Sequence, residues 1–414
     1  MTESAPIGKA HQCAIKLLKP TKKELEHGLE LHKNSVVIDT YGFGPGGVGD
    51  AAKLQAAIEA GASQLELHDM QESMVMTGFL EYEALLREFK EIWNVSGVTC
   101  TFRNSGEEGQ DPMRLIKRLS RFVYVTDRLR HFTPKAINVE DIALAKRENR
   151  HCYCLTCNGV PLPQTWVSVE EELRYISIFF QLGCRMMHLT YNRRNMLGDG
   201  CAETANGGLS DLGKAAIAEM NRVGVIVDVA HAGWQTSLEA ARASSVPIVA
   251  SHTTCTAIQM HVRSKPDEII RTIADHGGLV GICGIPSFLG RSGDIIALID
   301  HVDYAAKKFG VDYVAIGTDV GMRVMTGSQA VSFPKMPKKR QRFGGFWPPN
   351  DMLFRPEWQL EEQKLSLAWV NWPYFTVGLV QRGYSDADIQ KIIGGNMLRV
   401  LSAVLPESEK KLAD

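Results

Sequence analysis

Long apolar runs are missing from this chain, and nothing approaches the roughly 18 uninterrupted apolar residues that mark a membrane-crossing helix. Its first residues, MTESAPIGKAHQC, lack the charged start and continuous apolar core of an export signal. A cytoplasmic protein without a membrane segment is therefore expected. An excess of either charge is missing as well. The 46 basic and 47 acidic side chains leave a formal net charge of -1, which gives no broad field for nucleic acid or anionic lipid. The single basic run, KKRQR, is too short to argue nucleic acid, so a small-molecule partner is expected. Repeats and low-complexity segments are absent. With no export signal, the odd count of nine cysteines argues for reduced, mostly buried thiols over a disulfide framework. Also absent are a Gly-x-Ser-x-Gly elbow and a P-loop, and the glycines of YGFGPGGVG open no convincing dinucleotide-binding helix.

What is present is an alternation. From about residue 30, short apolar β-rich runs alternate with amphipathic helical segments, the mark of a parallel sheet wrapped by helices. Strands are predicted at 36–43, 64–69, 152–157, 186–191, 225–231, 247–252, 279–285 and 313–319, with 97–103 competing for one place. Eight such units give a (β/α)8 TIM-type barrel, and at 414 residues the chain suits one barrel as well as several smaller domains. We expect an N-terminal extension at 1–30, a single barrel domain at 31–405 and a tail at 406–414. Ser168 caps VEEELRYISIFFQLG, and Ser210 caps DLGKAAIAEMNRVG, where Leu212, Ala216, Met220 and Val223 fall at helical spacing. Two stretches break the rhythm. One is the polar NSGEEGQDP; the other is an excursion at 322–358 with clustered Pro, Gly and aromatic residues, following the last strand where barrel loops carry function.

Three polar side chains close predicted strands: His231 ends VIVDVAH, His252 ends VPIVASH and Asp319 ends YVAIGTD. Strand ends of a (β/α)8 barrel face one mouth, so these residues converge, and two imidazoles with a carboxylate suit Zn2+. A lone histidine at a strand end is more often structural; three polar residues at successive ends argue for a shared site. His68 ends the predicted second strand and is read as a core or surface histidine.

The segment from GGLSDLGKAAIAEMNRVGVIVDVAH through VPIVASHTTCTAI, then RSKPDEIIR and AIGTD, resembles the membrane (renal) dipeptidase family, peptidase M19, over roughly residues 150–400. The resemblance implies a metallo-dependent hydrolase-like barrel. His231 and His252 would then bind metal, Asp319 would contact metal and handle the proton of the attacking water, and Arg263 would hold a substrate carboxylate. It also implies a His-x-Asp metal pair after the first strand, where this chain has Tyr41 and Phe43. The bridging glutamate falls at Cys157, and a substrate-contacting histidine is replaced by Tyr191. LTYNRRNMLGDGCAE resembles a divergent branch lacking the first-strand histidine, so Tyr41, Tyr191, Asn192 and Arg194, with Asp199 and Glu203, become substrate-contact candidates. The expectation is one Zn2+ or none, held by Cys157, His231 and His252 beside Asp319. The expected activity is cleavage of a C–N bond in a small carboxylate-bearing amide. A catalytically inactive barrel binding an amino-acid-like metabolite or a protein, and a metal-dependent lyase or isomerase using a tyrosine phenol, stand as alternatives. A homodimer is expected from the resemblance alone.

Overall fold

A computed structural model of the chain describes residues 5–105, 109–324, 334–335, 347 and 350–410. Eight strands pair in parallel, in sequence order: β1 (Ile38–Gly42), β2 (Cys100–Asn104), β3 (Cys152–Cys157), β4 (Cys184–His188), β5 (Ile226–Asp228), β6 (Val249–Thr253), β7 (Leu279–Ile282) and β8 (Val314–Ile316). Every residue of these strands is buried. Helices cover the outer face, which is why the strands read as continuous apolar runs without polar alternation.

Side chains bring the two ends of this sheet together into a nearly closed barrel. Thr40 Oγ1 lies 2.7 Å from Ser251 O and 3.1 Å from Ile316 O. The Asp39 carboxylate accepts from Thr318 N, Thr318 Oγ1 and Trp369 Nε1 at 2.8, 2.7 and 2.9 Å. The interior is tight around these groups: a Cβ on Gly281 or Gly317 would stand 2.0 or 1.9 Å from Ser251 O, so only glycine lets β7 and β8 approach.

One predicted strand is wrong. Residues 64–69 begin a helix, Gln64–Thr77, and β2 is the segment that competed for the place. Ser63 Oγ accepts from Glu66 N at 3.3 Å while Glu66 Oε2 accepts from Ser63 N at 2.7 Å, a reciprocal cap that fixes a helix start. The Ser168 and Ser210 caps are present, opening Val169–Gln181 and Asp211–Val223.

Two helices, Ala5–Leu18 and Lys22–Asn34, precede the barrel, and Ile7, Ala10 and Ala14 join its core. The second packs so closely on Trp372–Gln381 that a Cβ on Gly28 would lie 2.8 Å from Val377 Cα. Most of the excursion expected at 322–358 lies outside the described residues. All nine cysteines are free and buried, and no helix among the described residues is long and apolar enough to cross a membrane.

Candidate metal centre

The C-terminal ends of β4 and β6 and the turn after β5 each deliver one histidine to the barrel mouth. His188 closes β4, His252 sits in β6, and His231 follows β5 by three residues. All three are buried, and one nitrogen of each lies within 4.8 Å of those of the other two. His231 Nε2 and His252 Nε2 face one another at 3.0 Å.

The partners of the other ring nitrogens fix the tautomers. His231 Nδ1 meets Asn192 Oδ1 at 2.7 Å and His188 Nδ1 meets Cys157 O at 3.2 Å. Both partners only accept, so each Nδ1 carries the proton. His252 Nδ1 lies 2.8 Å from Ser251 Oγ, and that hydroxyl spends its own proton on Asp228 Oδ2, so His252 Nδ1 is again the donor. All three Nε2 atoms are left with lone pairs. His188 Nε2 sits 3.1 Å from Asp228 Oδ2 in a geometry that makes no hydrogen bond. Converging lone pairs on neutral imidazoles, each oriented by a partner behind it, are what a divalent metal requires. Two nitrogens on one tetrahedral zinc stand roughly 3.3 Å apart, close to the spacing of the His231 and His252 pair.

Charge and burial keep the rings neutral. His231 and His252 are driven well below the ordinary imidazole range by burial and then by the Arg263 guanidinium, and His188 is lowered by burial against the pull of Asp228. Arg263 does not present the open fork expected for a substrate carboxylate. Its Nη1 donates to Ala230 O and its Nη2 to His252 O at 2.9 Å, because the carbonyls at these strand ends need donors. Lys265 braces the same turn through Ala232 O and Ser237 Oγ, at 2.7 and 2.8 Å.

Cys157 does not join the imidazoles. Its thiol lies 3.3 Å from Cys184 Sγ, and that contact, with burial, pushes it well above its usual range, so it stays a protonated thiol. It serves the site through its carbonyl. Tyr41 stacks on His252, ring centroids 3.9 Å apart, and Tyr191 on His231 at 4.1 Å; Tyr41 also donates to Asn158 Oδ1 at 2.8 Å. Arg194 turns away into a two-pronged pair with Asp199 at 2.5 and 3.0 Å, and its backbone N donates to Glu203, so these three brace their own loop. Asp319 follows β8 with φ +55°. Its carboxyl is pushed up to about 7 by burial, with Arg263 pulling the other way, and it is not one of the three clustered ligands. His68, on the helix Gln64–Thr77, lines a separate cavity at the mouth. His188 and Asp228 were not anticipated, although each closes an apolar run, in CRMMH and VIVD, as His231 and His252 do.

Comparisons with known proteins bear on the family and the fold. The sequence profile of membrane dipeptidase, Peptidase family M19, matches residues 97–337. Dipeptidase tcpJ of Claviceps purpurea (strain 20.1) is 27% identical over 234 residues, covering 55% of this chain and 47% of that protein; the chain spans about half the length of the curated relatives it matches. Among solved structures, an amidohydrolase from Pseudomonas aeruginosa superposes with TM-score 0.63 at 22% identity, over 91% of this chain and 98% of that one. A metallo peptidase from Rhodobacter sphaeroides, liganded with a phosphinate mimic of the dipeptide L-Ala-D-Ala, gives 0.62 at 14%, over 89% and 99%. At these identities the structural matches speak for the fold. With more than half its length matched by the family profile and three imidazoles gathered at the barrel mouth, the chain belongs to the membrane dipeptidase family, peptidase family M19.

Proposed function

We propose that this protein is a metal-dependent hydrolase cleaving a C–N bond of a small carboxylate-bearing amide, with a single zinc ion held by His188, His231 and His252. The observation that carries this reading is the convergence of one ring nitrogen from each of three buried histidines, with each Nδ1 held by Cys157 O, Asn192 or Ser251. Three neutral imidazoles with a fourth position open are a catalytic zinc arrangement. Tyr41 and Phe43 offer no ligand for a second ion. The family membership and the relatives named dipeptidases support a peptide-like bond.

When bound, zinc would acidify a water and polarise the scissile carbonyl. The remaining work falls to side chains. Asp319, raised to about 7, takes a proton from the attacking water at its carboxylate and returns it to the leaving nitrogen. The rings of Tyr41 and Tyr191 wall the imidazoles and exclude bulk water, which strengthens every charge interaction inside. Protein purified without chelator should carry about one zinc per chain, and His188→Ala or His231→Ala should lose most of it along with hydrolysis of a dipeptide panel. Zinc far below one equivalent in the unaltered protein would sink the reading.

A second reading is favoured by the same stacked tyrosines and by the engagement of Arg263 with backbone. It is a barrel that binds an amino-acid-like metabolite without turnover. Calorimetry with dipeptides would then give binding that His231→Ala leaves unchanged, and no product.

A further inference from the structure

We infer that the cavity between the loop after β1, the end of β2 and the helix Gln64–Thr77 is an anion subsite, in which Arg103 holds a carboxylate or phosphate group of a small ligand. The inference concerns binding and does not depend on the hydrolytic reading.

The cavity encloses about 630 Å³, within the range of small-molecule sites. Arg103 closes β2 and lines it, with only 6% of its surface exposed. Buried arginines are normally paired, because an unpaired charge withdrawn from water is costly. Arg103 is not: its Nε and Nη1 are buried and have no hydrogen-bond partner among the described residues. The single carboxylate among the described lining residues, Glu72, is already taken by Arg118 at 2.9 Å and Arg121 at 2.5 Å. Arg323 adds a further positive charge at the exposed rim. Phe43 and Phe122 lie 5.4 and 5.0 Å from the Arg103 guanidinium carbon, so cation–π contacts orient the group while leaving donors unspent. Burial lowers its pKa only to about 10, and the charge persists at neutral pH. A planar fork with spare donors matches the paired oxygens of a carboxylate or phosphate.

The cavity also adjoins the metal centre. Phe43 meets Tyr41 edge-on at 5.8 Å, and Tyr41 stacks on His252. Phe43, which lines the cavity, and Tyr41 are thus the side chains that separate Arg103 from the three histidines. Arg263 places both Nη groups on backbone carbonyls and leaves only its Nε without a partner, whereas Arg103 leaves both Nε and Nη1 unpartnered.

Calorimetry on the full chain with glutarate, inorganic phosphate and the neutral glutaramide tests this. At least one anion should bind at millimolar concentration or better and glutaramide much more weakly; which anion wins identifies the natural acid group. Arg103→Gln should weaken anion binding by roughly tenfold or more without lowering the thermal midpoint, since no protein hydrogen bond of Arg103 is lost. Arg103→Lys, which keeps the charge but not the fork, should fall between. Affinity should survive treatment with a chelator. Absence of binding at about 10 mM, equal affinity in Arg103→Gln, or loss of binding on chelation would each overturn the inference. The last outcome would place the anion on a metal at the histidines, whereas lack of zinc alone would count against the hydrolase reading and leave this one standing.

Discussion

At the scale of single residues, the quality of the candidate centre depends on groups behind the imidazoles. Asn192 is the clearest. It sits at φ +56°, a left-handed conformation that asparagine tolerates better than most residues, and this turns Oδ1 onto His231 Nδ1 at 2.7 Å with Cys201 Sγ donating at 3.3 Å. Removing that acceptor frees the His231 ring to rotate and change tautomer. Asn192→Gly, which keeps the backbone conformation, should lower zinc affinity by about 10- to 100-fold in a competitive chelator titration. An unchanged affinity would mean that packing against Tyr191 alone orients the ring. The sequence showed His231 and His252 because each closes a strand-like run. It hid His188, because MMHLTY reads as strand to its end and His188 falls inside that run. It misplaced Cys157 because knowing where a strand ends does not say which neighbour a side chain meets. Which nitrogen of each ring bears the proton depends on contacts between distant positions, 31 apart for His188 with Cys157 O, 39 for His231 with Asn192, and 23 for the Ser251–Asp228 bond that sets His252, and such contacts exist only in the folded chain.

At the scale of elements, the one false strand shows how two signals can compete. QLELHD alternates apolar and polar residues as a strand does, yet SQLE carries Ser and Glu three apart, the spacing of a reciprocal helix cap. The cap prevails because the helix buries only Leu67 and Met76 fully, so no broad apolar stripe marks it and its start is set locally. Ser63→Ala should therefore cost about 0.5–2 kcal/mol in urea unfolding and raise hydrogen exchange in the first turn of Gln64–Thr77. A stability loss near zero would show that packing against neighbouring elements, not the cap, selects helix there. Where a cap preceded a clear apolar stripe, at Ser168 and Ser210, both signals agreed and the helices were legible. The barrel itself was legible because fully buried parallel strands recur with helices between them. Barrel closure was not, since the bonds from Asp39 to Thr318 and Trp369 link positions 279 and 330 residues apart.

At the scale of the whole molecule, buried histidines outside the site stitch distant elements together and make stability depend on pH. His301 accepts from Cys255 N at Nδ1, 3.1 Å, and its Nε2 lies 2.9 Å from Leu289 O. Protonating Nδ1 would destroy the acceptor, and burial holds the group down at about 4; His32 and His151 are lowered similarly. The unfolded chain binds protons near the ordinary imidazole value of about 6.5. Between there and about 4 the unfolded state holds more protons than the folded one, so stability falls as pH falls through that window. Asp39, raised to about 7 by burial, acts in the opposite sense, because its folded form takes up a proton before the unfolded form does. The wild-type profile therefore mixes both effects, and a variant must isolate one. His301→Gln should be less stable than wild type at pH 7 by about 1–3 kcal/mol, having lost part of its hydrogen bonding. Below about pH 6.5 the gap should narrow, by at most ~1.4 kcal/mol per pH unit, because only the wild type retains an imidazole to protonate. Urea midpoints at several pH values between 7 and 4.5 would read this directly, and a gap that stays constant across that range would mean that His301 is not held neutral by the fold.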